Sequence, residues 1–292
     1  MSKSNFSSHA LNFKKAALFV FAICLVASGY SQGNSGGRKP DWVPGPPPGK
    51  GPRSDNRTPF PPGLNKNNSI MNSVMMTPTG WGSTESHVFA TLGGSPKQLY
   101  GIKPDMALRL GFGIGDARKI ASVTAMVNFN DVSKIGQNLS YSVVASRDLG
   151  KGGSVSVGAL HLFPDTAVSD GTRSFYIAYS NAFRKIRQVT PGNPRLSFTL
   201  GFGSGNFYTK SPIDYIKGKG DLGTGVFANV SYDVLKNWSV SAEWTGMNLG
   251  FTSAYQLPGF LPQVFAGVTD VTRYSGDRAT FVFGVGKAFG FK

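Results

Sequence analysis

The stretch that most constrains the fold is the last one, Arg278 to Lys292, reading RATFVFGVGKAFGFK. One register carries Phe281, Phe283, Val285, Phe289 and Phe291. The other carries Thr280, Val282, Gly284, Gly286, Ala288 and Gly290. Side chains alternate faces along a strand, so this is a strand with one large aromatic face and one nearly bare face. A half-buried strand of a soluble sheet turns polar and charged residues to water. Here the second face is small rather than charged. That pattern suits a strand whose large side meets hydrocarbon and whose small side lines a lumen.

The same alternation repeats back to about Ser86. Met106, Leu108, Leu110, Phe112 and Ile114 oppose Arg109, Gly111, Gly113 and Gly115. Phe175, Ile177, Tyr179 and Phe183 oppose Ser174, Ala178, Ser180 and Ala182. Trp238, Val240, Ala242 and Trp244 oppose Ser239, Ser241, Glu243 and Thr245. Counting these units predicts twelve strands. His87–Gly93 and Gln263–Val271 are the two in which both faces carry apolar residues. The expected architecture is all-β: a single transmembrane antiparallel β-barrel over residues 85–292, preceded by a Pro-rich disordered tail. An even strand number brings both barrel ends to one side, and longer polar connections after odd strands mark the opposite side. The longest, Gly205 to Asp221, is expected to be a solvated exterior loop. A closed barrel suits lipid because it leaves no backbone edge unpaired.

The segments before the barrel have other compositions. Residues 1–31 read as a cleaved secretory signal peptide, with Lys14 and Lys15 before an apolar run and small residues at Ala27, Ser28 and Gly29. The run is short for a membrane span. The single cysteine, Cys24, lies within it, so the exported chain is expected to hold no disulfide or cysteine–metal site. Residues 32–84 form a basic Pro/Gly-rich linker or tail that cannot build a core. It is a candidate to dock a periplasmic partner or to thread into a pore.

The end of the chain resembles the C-terminal signal that the outer-membrane barrel-assembly machinery reads: Gly286, then aromatic Phe289, then aromatic Phe291. Lys292 departs from it by following the last aromatic. The chain as a whole resembles outer-membrane β-barrel proteins of porin-like type, by composition and pattern rather than by any family-specific motif. The resemblance implies a Gram-negative-type outer membrane, the lipid bilayer and the assembly machinery as partners, and passive transport through a channel.

Net charge is +15, yet charged residues make up only 15% of the chain. No basic helix or binding module accompanies that charge, which argues against nucleic acid as a partner. No cofactor or metal is expected. Gly111, Gly113 and Gly115 keep strand phase with no helix after them, so they are not a nucleotide loop. An outer-leaflet lipid hydrolase, the weaker alternative, needs a His and a Ser close along one strand. His161 is followed by Leu162 and Phe163, and Ser86 faces away from His87, so no enzyme is expected.

The charges whose phase points inward are Arg109, Arg195, Asp233 and Glu243. They are expected either to tune ion selectivity or to pair with one another across the barrel. Tyr232, Trp238, Trp244 and Tyr255 are candidates for the interfacial aromatic belts. Lys287, on the large face of the last strand, is expected to snorkel. Between Gly80 and Lys292 there are 21 Lys and Arg against 13 Asp and Glu, which predicts a mild anion preference in any open pore. Two functions remain: a small channel for polar or anionic solutes, or an outer-membrane anchor whose tail or loops bind a protein or cell-wall partner.

Overall fold

The computed structural model describes residues 74–97, 104–134, 138–164, 172–183, 196–235, 237–258 and 261–291. The expected signal peptide, most of the expected tail, and Arg195 lie outside the described residues.

The twelve strands are β1 (Ser86–Ser95), β2 (Asp105–Gly115), β3 (Ser122–Phe129), β4 (Leu139–Gly150), β5 (Gly153–Leu162), β6 (Ser174–Ala182), β7 (Leu196–Gly203), β8 (Val226–Leu235), β9 (Trp238–Trp244), β10 (Leu249–Gln256), β11 (Gln263–Thr269) and β12 (Thr280–Phe291). Each pairs antiparallel with its sequence neighbours, and β12 pairs with β1 to close the barrel. Closure is in register from Ser86↔Phe291 to Gly94↔Phe283. No strand edge is left to pair with another chain.

Directly opposed residues share a face, so the pairing fixes what looks inward. Thr91 opposes both Gly286 and Arg109, Arg109 opposes Asn128, and Asn229 opposes Glu243. These belong to the lumen. Phe112, Phe175, Phe202 and Phe281 belong to the outside, each more than 50% exposed to solvent in the isolated chain. A belt of exposed aromatic and branched side chains on β2 to β12 far exceeds the apolar patch a soluble monomer carries. It is a lipid-facing surface.

The barrel has two unlike ends. Ser86 and Phe291 share one, the terminus end, with the connections 116–121, 151–152 and 236–237. At the other, the loop end, the β7–β8 connection contains a 3-10 turn (Gly205–Phe207) and a short helix α1 (Pro212–Ile216). Ser211 caps α1 by accepting from the Ile213 N–H, and Pro212 sits where its missing donor costs nothing. This connection is not the free solvated loop its sequence suggested. Asp214 is fully buried and accepts from Ser275 Oγ at 2.6 Å and from the Gly276 N–H at 2.8 Å. Lys210 is buried too, its ammonium 3.4 Å from the Tyr274 ring centroid and donating to the Lys219 carbonyl.

Candidate functional site

The lumen is the candidate site, and it is not empty. The glycines of the inward face act as sockets for rings from neighbouring strands. A Cβ on Gly113 would lie 2.2 Å from the His87 ring, one on Gly158 2.2 Å from Tyr176, and one on Gly201 2.1 Å from Phe227. A bare strand therefore marks a ring next door rather than free space. This also explains why β1 and β11 looked apolar on both faces: His87, Phe89 and Phe265 point inward with the Gly-rich strands beside them. At the loop end, Phe207 of the β7–β8 connection dips into the lumen. It forms an aromatic layer with Tyr176 and Phe227, with ring centroids 6.1 and 4.6 Å from its own.

A segment of the chain itself also occupies the lumen. Residues 74–85, all but the last of them in the stretch expected to be tail, run inside the barrel without pairing into its sheet. An unpaired backbone in a buried channel needs partners for its N–H and C=O groups. The Ser, Thr and Asn residues of the inward face supply them. Near the terminus end, the Ala117 N–H donates to the Ser83 carbonyl at 2.8 Å. Ser180 Oγ accepts from the Gly80 N–H at 2.7 Å, and Ser154 and Ser156 donate to the Gly80 and Thr79 carbonyls at 2.7 Å each. Gly80 and Gly82 permit this approach. A Cβ on Gly80 would meet the Ser154 carbonyl oxygen at 2.4 Å, and one on Gly82 would meet Ser122 Oγ at 2.4 Å.

Further up, Glu243 clasps the segment. Its carboxylate accepts from the Met75 N–H at 3.0 Å, the Met76 N–H at 2.8 Å, the Thr77 N–H at 2.9 Å and Thr77 Oγ at 3.1 Å. Ser241 and Thr252 hydroxyls donate to the same carboxylate from the barrel wall, at 3.2 and 2.6 Å. Asn229 in turn donates to Thr77 Oγ at 2.9 Å. Three successive N–H groups turned toward one carboxylate form an anion nest, and bonds to an ionised acceptor are the stronger kind. Around them Met75 and Met76 pack against Ala254, Phe265 and Val282. Glu243 thus spends its acceptors on the inward segment rather than on an arginine across the barrel, which corrects the pairing expected of it.

The other predicted residues fall as follows. Arg109 and Asp233 are buried on the inward face. Tyr232, Trp238 and Tyr255 lie outward near the terminus end, where Tyr255 opposes Trp238. Trp244 lies outward at the loop end beside Tyr274 and donates to Thr224 Oγ. Gly286 faces the lumen beside Thr91. Phe289 and Phe291 share the outward register, the first buried and the second exposed. Lys287 lies outward and reaches the Leu261 carbonyl at 3.0 Å, in the β10–β11 turn at the terminus end.

One constellation escaped the sequence reading because it is assembled across strands. Ser140 Oγ lies 3.0 Å from His161 Nδ1. A register shift between β4 and β5, with His161 at a positive φ of 52°, turns His161 inward. Asn128 and Asn130 both donate to Ser140 Oγ at 3.2 Å. The pair is buried in the lumen, on the opposite side of the wall from lipid, so no outer-leaflet ester can approach it. It belongs to the hydrogen-bonded lining.

No protein-family model matches the chain, and no curated protein matches it. Among solved structures it is similar to the KdgM porin, at 13% identity and a TM-score of 0.40 over 70% of this chain and 99% of that one. A KdgM porin in complex with disordered oligogalacturonate gives the same values. A mutant of the Rh. blastica porin follows at 10% identity and a TM-score of 0.31, over 70% and 99% of the two chains. At these scores the likeness carries no function from those proteins to this one. The closed twelve-stranded barrel with its apolar belt stands on the chain's own geometry, and it bears out the resemblance to outer-membrane β-barrel proteins.

Proposed function

We propose that this protein is an outer-membrane barrel of the channel class whose pathway is closed by its own residues 74–85. The observation that carries the reading is the Glu243 clasp. Six donors converge on one carboxylate in the lumen, and four of them belong to the inward segment. The wall behind that segment is hydroxyl- and amide-rich, which is the lining a path for small polar or anionic solutes requires. Transport is then conditional on displacing the segment, and a passive, always-open porin is not the resting state.

The test is planar-bilayer conductance of the refolded barrel with and without the residues up to Glu85. The full chain is expected to be silent or nearly so, and the truncated barrel to conduct. A second reading has its own support. The Tyr176–Phe207–Phe227 layer and the docked β7–β8 connection remain when the segment leaves. If the truncated barrel is folded and still silent, the barrel is an anchor for a partner-binding tail or loop, and the channel reading fails.

A further inference from the structure

The wall reads the inward segment as a peptide. A backbone offers N–H and C=O groups in turn, and the lumen answers both. Glu243 accepts from three successive N–H groups, those of Met75, Met76 and Thr77, and Ser180 accepts from that of Gly80. Ser156 and Ser154 donate to the carbonyls of Thr79 and Gly80. These partners sit on β5, β6 and β9, so they belong to the barrel and not to the segment. Side chains are read as well. Asn229 donates to Thr77 Oγ, and Met75 and Met76 pack with Ala254, Phe265 and Val282. A Cβ on Gly250 would lie 2.3 Å from Met76 Cε, so the wall is bare where that methionine enters. Main-chain bonds for affinity and pockets for specificity are the two parts of an extended-peptide site. Residues 74–84 carry no charged side chain, so nothing of theirs but backbone and a hydroxyl meets the Glu243 carboxylate.

We propose that the lumen is a peptide-binding site. Its ligand, once residues 74–85 are unseated, is an extended uncharged peptide with a long unbranched apolar side chain for the place beside Gly250. This rests on the reading of residues 74–85 as the closing segment and deepens it by naming the ligand class. The segment is then a tethered ligand, and an incoming peptide competes with it for the same groups. A hydroxyl-rich wall alone would suit a glycan equally. A glycan has no side chain for the methionine pocket and no run of N–H groups for Glu243.

The experiment uses the full chain with residues 74–85 replaced by a Gly/Ser run of equal length, refolded in detergent and selected as heat-modifiable barrel. A second emptied form is Thr77→Pro with Gly80→Val. The first change removes a donor to Glu243, and the second drives a side chain into the Ser154 carbonyl. The probe is a fluorescent synthetic peptide of residues 74–85, VMMTPTGWGSTE, followed by anisotropy. Saturable binding to both emptied forms is expected. The unmodified chain is expected to bind far more weakly, because its tethered segment competes at an effective concentration on the order of millimolar. Glu243→Ala in the emptied chain, or N-methylation of the peptide at Thr77, should weaken binding by roughly tenfold or more. A peptide with Met76→Gly should bind less well than the parent peptide, and Gly250→Val in the wall should erase that difference. If neither emptied form binds the peptide, or if binding ignores both Glu243→Ala and the N-methyl group, the peptide site is overturned. Binding of a neutral oligosaccharide with none of the peptide gives the wall to a glycan and overturns it too. Bilayer conductance of the same emptied forms separates this proposal from the channel reading. Conduction without peptide binding keeps the channel and rejects the peptide site, whereas peptide binding to a silent barrel keeps the site and rejects the channel.

Discussion

At the scale of single residues, Glu243 bears the largest consequence. Replacing it with Ala leaves the N–H groups of Met75, Met76 and Thr77 without their acceptor in the lumen. Hydrogen bonds to a charged group contribute about 1.5–3 kcal/mol each, but three on one carboxylate are not independent. A net loss on the order of 3 kcal/mol shifts the ratio of seated to unseated segment by roughly a hundredfold. Glu243→Ala in the otherwise full chain is therefore expected to turn silent bilayers into intermittently conducting ones, while Glu243→Gln, which keeps one carbonyl acceptor, opens less often. Single-channel recordings give both frequencies. An Ala variant as silent as the parent would mean that Met75 and Met76 packing alone seats the segment.

At the scale of elements, two predictions concern β12 and the β7–β8 connection. The Gly286, Phe289 and Phe291 spacing predicts that Phe289→Asp with Phe291→Asp blocks assembly and leaves degraded material. Normal heat-modifiable barrel from the double variant would refute that role for the strand. The β7–β8 connection is tied down by Lys217 and Lys219, which pair with Asp277, and by the Lys219 ammonium donating to the Gly276 carbonyl. The hydrogen bond from Lys217 holds the Asp277 carboxyl below its ordinary range. A group so lowered adds stability above its unfolded pKa and loses it as pH falls through the folded value. The pair is exposed, so the gain is small and salt-screened. Protease cleavage after Lys217 and Lys219 on intact cells is thus expected to be slow at neutral pH, and faster below the carboxylate range or in Asp277→Asn. Equal rates in parent and Asp277→Asn would show that Asp214 alone holds the connection.

At the scale of the molecule, the barrel without its plug is predicted to prefer anions only mildly. Arg109, Asp233 and Glu243 are all buried on the inward face, so charges of both signs line the wall. Among the basic residues of the loop end, Lys210, Lys217 and Lys219 are engaged within the loop cluster. Others there, such as Lys97 and Arg273, are screened beyond about 8–10 Å at physiological salt. A reversal potential across a salt gradient should show weak anion selectivity that fades as salt rises. Clear cation selectivity would point to Glu243 and Asp233 as the controlling pair once the segment has gone.

The sequence by itself determined the barrel. Strand number, the outward face of ten of the strands and the inward place of Arg109, Asp233 and Glu243 follow from a period of two, a property of each strand alone; β1 and β11 look apolar on both faces until their neighbours are in place. The filling of the lumen was decided only by the tertiary structure. Whether Gly201 is open space or a socket depends on Phe227, which sits on another strand at a register no local pattern gives. Whether Glu243 meets an arginine or the backbone of Met75 to Thr77 depends on a contact spanning more than 160 residues. The seating of residues 74–85 left only indirect marks in the chain: the glycines at 80 and 82, and the Ser and Asn stripes that looked merely polar. Hydroxyl groups that satisfy a threaded backbone have the same composition as hydroxyl groups that line water, and only closure of the barrel around the segment tells them apart.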